Sequence, residues 1–147
     1  MSTLSIGVDP GQAGGISFIP DNNPSKAWAE KMPETLADLW ATFDNIGFDY
    51  ESIHCCLESV HSMPGQGVAS SFKFGRGFGN LEMALTAAKI PFTYVTPQKW
   101  QKELGCLTKG DKNVSKSRSQ QLFPHIKVTH AIADSLLIAE YCRRTIK

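Results

Sequence analysis

Residues 4–11 read Leu-Ser-Ile-Gly-Val-Asp-Pro-Gly. Leu4, Ile6 and Val8 alternate with Ser5, Gly7 and Asp9, the period of a β-strand with two distinct faces. Pro10 and Gly11 then force a turn, so the strand ends on the carboxylate of Asp9. Gly14 and Gly15 lead into Ile16-Ser17-Phe18-Ile19, a second strand close enough to form a hairpin with the first. Pro20-Asp21-Asn22-Asn23-Pro24 is another turn, and Lys26 to Lys31 reads as a third strand. The chain therefore opens with a three-strand antiparallel meander.

Further along, Pro33 suits the first turn of a helix. Leu36, Leu39, Trp40 and Phe43 follow at helical spacing and predict an amphipathic helix packed on the sheet, ended by Gly47. Ser52 to Glu58 is a fourth strand, with Ile53, Cys55 and Leu57 on one face and His54, Cys56 and Glu58 on the other. The stretch from His61 to Gly79 is rich in Gly, Ser and Phe. Its residues His61 to Ser71 read as a loop, and its C-terminal part runs into a helix through Leu81, Met83, Ala84, Leu85 and Ala88. Pro91 to Val95 is a short fifth strand. Thr96-Pro97 starts a helix through Trp100 and Leu104, a loop covers Gly105 to Gly110, and Asn113 to Leu122 is helical. Phe123-Pro124 breaks that helix. A last one starts at Thr129 or His130 and carries Ala133, Leu136, Leu137 and Tyr141. This order is that of an RNase H-like α/β fold: a five-stranded mixed sheet, the meander plus two parallel strands, flanked by helices. No repeat or boundary interrupts it, so one domain over residues 1–147 is expected. In such a sheet strands one and four are parallel neighbours. Here both end in an acid, Asp9 and Glu58, where ligands of open α/β sheets tend to bind.

Bulk composition narrows the class. Hydrophobic residues at 41% and charged residues at 20% are an ordinary globular balance. No apolar run approaches the roughly 20 residues that span a bilayer, and the N-terminus shows no secretion signal. The cysteines, Cys55, Cys56, Cys106 and Cys142, form no CxxC pair, which argues for reduced thiols in a cytoplasmic protein and against a zinc site. The formal net charge of +1 is unevenly spread. Seven bases lie between Lys99 and Lys127 (Lys99, Lys102, Lys109, Lys112, Lys116, Arg118, Lys127) against the acids Glu103 and Asp111, a local excess of +5. That excess marks either a polyanion-binding surface or a solvated helix face.

Phosphodiester cleavage needs a nucleophilic water and a stabilised leaving oxygen. Two divalent ions about 3.5–4 Å apart supply both when clustered carboxylates hold them. Asp9, Glu58 and Asp134 are candidate ligands from distant parts of the chain, and His130 lies one helical turn before Asp134. Each has a plainer reading. Asp9 suits a turn, Glu58 a solvated strand end, and His130 a helix start or a satisfied core histidine. Asp134 is the least easily dismissed, because an acid among Ala133, Leu136 and Leu137 needs a partner or a metal if it faces the sheet. The glycines of residues 7–15 (GVDPGQAGG) also suit a phosphate cradle like that of actin-like ATPases, but no second copy of the domain is present.

The motifs IGVDPG (6–11), LES (57–59) and HAIADSLLIAEY (130–141), in this order, resemble the RuvC-type Holliday-junction resolvases. HSMPGQGVASSFKFGRGFG (61–79) and VTPQKW (95–100) resemble the phage and prophage branch of that family, which would place the protein in a bacterial or phage-infected cytoplasm. The resemblance implies a homodimer that nicks four-way and other branched DNA with Mg2+ or Mn2+, two ions per site. It implies Asp9, Glu58 and Asp134 as catalytic metal ligands, with His130 in the fourth position. Cellular members often place that fourth residue three before the last Asp, where this chain has Ala131.

For DNA contact, His61, Met63, Gln66, Phe72, Lys73, Phe74 and Arg76 are the candidates in the segment after Glu58. Its apolar side chains are suited to wedging bases apart and its cations to phosphates. Lys102, Lys109, Lys112 and Lys116 are candidate phosphate contacts beside the strand ends, with Lys112 foremost by the resemblance. No membrane and no small-molecule cofactor is expected. Two other classes stay open: a nuclease of the same fold that acts on RNA–DNA hybrids or flaps, and a non-catalytic junction binder.

Overall fold

A computed structural model describes residues 2–60, 65–108 and 110–146. His61, Met63 and Lys109 of the candidate DNA contacts lie outside the described residues. Five strands form one sheet: β1 (Thr3–Asp9), β2 (Gly15–Pro20), β3 (Trp28–Lys31), β4 (Ser52–Glu58) and β5 (Phe92–Val95), in the order β3-β2-β1-β4-β5. The pairs β1/β2 and β2/β3 are antiparallel, and β1/β4 and β4/β5 are parallel. The expected mixed sheet of the RNase H-like fold is thus present.

Strand alternation divides the residues between two helical layers. Leu4, Ile6, Val8, Ile16, Phe18, Cys55 and Leu57 face one side and pack with Leu39 and Phe43 of α1 (Leu36–Phe43) and with Leu81, Ala84 and Leu85 of α2 (Val68–Ala87). The other side is covered by α5 (His130–Thr145), with α3 (Pro97–Glu103) and α4 (Lys112–Leu122) beside it. Helix α5 lies unusually close to β1. A Cβ built on Gly7 would stand 2.8 Å from the Ala139 Cα and still nearer to the Ala139 nitrogen and the Ser135 oxygen. Only glycine permits that approach. The Ser17 and Ser135 hydroxyls hydrogen-bond at 2.6 Å across the same interface.

Three expectations need correction. The helix after β4 begins at Val68, so residues 68–71 are helical rather than the end of the loop, and Phe72, Lys73, Phe74, Arg76 and Phe78 follow on the same helix. Gly75, Gly77 and Gly79 each cost a helix about 1 kcal/mol, yet α2 propagates through them, anchored by Leu81, Ala84 and Leu85. The third strand is shorter than expected, because Pro24–Lys26 form a 3-10 turn before Trp28. Pro33 precedes α1, whose N-cap is Thr35 accepting from the Asp38 amide; Leu36 and Trp40 of that helix are exposed, and only Leu39 and Phe43 are buried.

Candidate active site

The register pairs Val8 with Leu57, so the next residue on each strand, Asp9 and Glu58, come side by side at the carboxyl ends of the parallel pair. Both follow the alternation onto the face beneath α5. The glycine hairpin closes tightly on Asp9: a Cβ on Gly14 would lie 3.1 Å from the Asp9 Cγ, and the Gly14 amide donates to the Gly11 carbonyl at 3.1 Å. Asp134 enters from α5, one residue before the Ser135 that is pinned to Ser17.

The electrostatics show that the three acids share one place. Burial first, then the negative charges of Glu58 and Asp134, push the Asp9 carboxyl up to about 8, with the Lys112 ammonium pulling it down. Asp9 and Glu58 are close enough for each carboxyl to act directly on the other. Burial pushes Glu58 up to about 7, opposed by a hydrogen bond from the Trp100 indole and reinforced by Asp134. Asp134 is raised by burial, against the opposing effects of Lys112, His130 and the nearby Ser115 hydroxyl. Crowded, desolvated carboxylates hold protons that they would give up to a nearby cation.

Hard oxygen donors of this kind suit Mg2+ or Mn2+. Among the described residues no three His, Cys, Asp or Glu side chains form a ready-made metal cage. Asp9 and Glu58 instead lie side by side at the strand ends, while Asp134 acts on both through its charge. The donor set fits a divalent ion chemically, and binding one would release the protons that burial now retains.

Other candidates fall around this centre. His130 is the exposed first residue of α5 and acts on Asp134 by its charge. Lys112, a candidate phosphate contact, is the exposed first residue of α4, and its charge pulls both Asp9 and Asp134 down. Gln66, Lys73, Phe74 and Arg76 line a cleft of about 480 Å3 between α1 and α2 that also borders Gly11 and Gln12, just beyond Asp9. Phe72 is exposed on α2. Lys102 is exposed in the last turn of α3, and Lys116 is half-buried on α4, away from the cleft lining.

Sequence reading missed Trp100 and Ser115 as site residues. Trp100 is fully buried, and its Nε1–H donates to Glu58 Oε2 at 2.6 Å. One signal was available: a tryptophan just after the strand beside β4 has an indole N–H that needs an acceptor once buried. Ser115 gave none.

No family model and no curated protein matches the sequence. Solved structures do match. The Thermus thermophilus RuvC structure is 16% identical, with a TM-score of 0.65 over 98% of this chain and 96% of that chain. T. thermophilus RuvC in complex with Holliday junction substrate is 15% identical, with a TM-score of 0.69 over the same shares. The fold is RuvC-like. At this identity the likeness concerns the path of the chain, and the RuvC-like sheet is what brings Asp9, Glu58 and Asp134 to one strand-end site.

Proposed function

We propose that this protein is a metal-dependent endonuclease that resolves four-way and other branched DNA junctions. The observation that carries the reading is the meeting of Asp9, Glu58 and Asp134, from β1, β4 and α5, at the carboxyl end of the parallel pair. Its supports are the RuvC-like fold and the junction substrate held by one of the matching RuvC structures.

In this reading the three carboxylates hold Mg2+ or Mn2+, two ions per site, with His130 beside Asp134 as a fourth contributor. Bound ions would activate the attacking water and stabilise the leaving oxygen. Lys112 limits the negative charge of the centre and so eases the approach of a phosphodiester. The cleft of Gln66, Lys73, Phe74 and Arg76 receives DNA next to the Asp9 turn, with the Phe74 ring beside Gly11. Lys102 and Lys116 contact phosphates without reading sequence. Two symmetric nicks call for a two-fold dimer acting in the cytoplasm.

Asp9→Asn tests the reading, because the amide keeps the shape and loses the ligand charge. Cutting of a four-way junction with Mg2+ is expected to fall by about 10³-fold or more, roughly 4 kcal/mol in barrier, while junction affinity holds. Undiminished cutting removes Asp9 from the chemistry. Parallel assays on RNA–DNA hybrids and plain duplexes, if cut better than the junction, replace the substrate class.

A further inference from the structure

We infer that Trp100 is a positioning residue: its indole N–H fixes the Glu58 carboxylate in the orientation needed to hold a metal ion. The inference rests on the proposed metal site and adds a residue that the acidic set does not contain.

Glutamate at the end of a strand has three rotatable bonds, and its carboxylate is ordinarily free to turn. Here it is not. Trp100 is fully buried, Glu58 is 7% exposed, and the indole Nε1–H meets Glu58 Oε2 at 2.6 Å. A bond from a buried donor to a carboxylate is short and strong. The chain is built to deliver that donor. Glu58 pairs with Val95 in the β4/β5 ladder, and the Ser59 amide donates to the Val95 carbonyl at 2.8 Å. Directly after Val95, Thr96 caps α3 by accepting from the Lys99 amide, and Pro97 occupies its first turn. One turn later Trp100 is carried back over the end of β4. There the ring packs with Cys56 of β4 and with Leu137 of α5, which lies one turn beyond Asp134. The indole thus sits among residues of two of the three elements that bring acids to the centre, β4 and α5, and its one polar atom is spent on Glu58. Groups that orient metal ligands in this way commonly contribute about 10–100-fold to metal affinity or activity.

Trp100→Phe removes the N–H and retains an aromatic ring. Mn2+ binding, followed by electron paramagnetic resonance and calorimetry on the intact protein, is expected to weaken about 10–100-fold. Cutting should largely return at saturating Mn2+, whereas a residue that only fills the core would lower the melting temperature and leave Mn2+ affinity unchanged. A second measurement does not depend on that variant folding. The Trp100 indole proton resonance of the wild-type protein, assigned by Trp28→Phe and Trp40→Phe, should lie downfield and move both on addition of diamagnetic Mg2+ and on Glu58→Gln. Unchanged Mn2+ affinity in a folded Trp100→Phe protein, or an indole resonance blind to Glu58→Gln, overturns the inference. If Asp9→Asn and Glu58→Gln themselves leave Mn2+ binding intact, the metal site falls and takes this inference with it. If those two weaken binding and Trp100→Phe does not, the metal site stands and only the role of Trp100 is lost.

Discussion

Helix α5 carries two acids in the inner part of the molecule, Asp134 and Glu140, and their surroundings push them in opposite directions. Glu140 is 3% exposed, and burial alone would raise it. Two arginines outweigh that burial: Arg143 Nε and Nη2 and Arg144 Nε all reach its carboxylate at 2.8 Å, and the net shift is downward. Asp134 is raised by burial, and Lys112, His130 and Ser115 do not cancel the effect. Among the described residues the only ion pairs are those of Glu140. The comparison separates an acid that serves stability, supplied with cations from its own helix, from one left short of positive charge beside two further acids. A site that awaits a cation has the second character.

Because Gly7 seats the helix, breaking that seat should disturb both acids at once. Gly7→Ala drives a methyl into the backbone of α5 at Ala139 and Ser135. A loss of at least about 3 kcal/mol is expected in urea unfolding; a cost within about 0.5 kcal/mol, typical of a surface change, would show that α5 can lift without penalty. Glu140→Gln removes charge-assisted bonds and should cost about 1.5–3 kcal/mol at pH 7. Since the folded-state pKa of Glu140 is depressed, its contribution is present above the ordinary value of 4.5 and is lost as pH falls through the lower folded value. The gap between wild type and variant should therefore close in acid.

The Asp9–Glu58 pair sharpens the other side of the comparison. With Asp9 pushed up to about 8 and Glu58 to about 7, protons compete with metal below those values. At limiting Mg2+, junction cutting should rise with pH by about tenfold per unit where one proton must leave, and the midpoint should move down as Mg2+ is increased. A midpoint indifferent to Mg2+ would separate the titration from ion binding. The smallest effect is expected from Asp134→Asn in chelator. A raised folded pKa gives wild-type stability that is complete below the ordinary 3.8 and declines as pH rises toward the elevated folded value. The variant should melt higher at pH 8 by about 2–4 °C, the shift that 1 kcal/mol makes in a chain of this size, and show no gain near pH 3. A melting temperature that drops at pH 8, as for Glu140→Gln, would erase the distinction between the two acids.

Legibility followed the range of the physics. Strand β4, read as Ser52 to Glu58, has those bounds in the structure, because its alternation is strict and both faces are covered. Helices α3 and α5 start at the capping positions that Thr96-Pro97 and Thr129 signal locally. Helix α2 starts at Val68, inside the loop expected to Ser71, because Gly67 at its N-cap and a first turn without acids give no local start signal. Leu36 and Trp40 were expected against the sheet, yet α1 turns only Leu39 and Phe43 inward. In the candidate site, the acids were visible as residue types at strand ends and inside an apolar helix. The Trp100–Glu58 bond was not, since it joins residues 42 positions apart through a side-chain contact.

By itself, the sequence determined the alternation of β1 and β4, the turn after Asp9 and the caps of the later helices, all consequences of neighbouring residues acting on one another. It also determined that Asp9 and Glu58 end their strands. Only the tertiary structure decided that these carboxyls meet, that Asp134 acts on both and Lys112 on Asp9, and that Trp100 holds Glu58. Those outcomes depend on strand register, on the close approach of α5 at Gly7, and on desolvation. Desolvation belongs to the packed assembly, and so do the raised pKa values that mark the centre out.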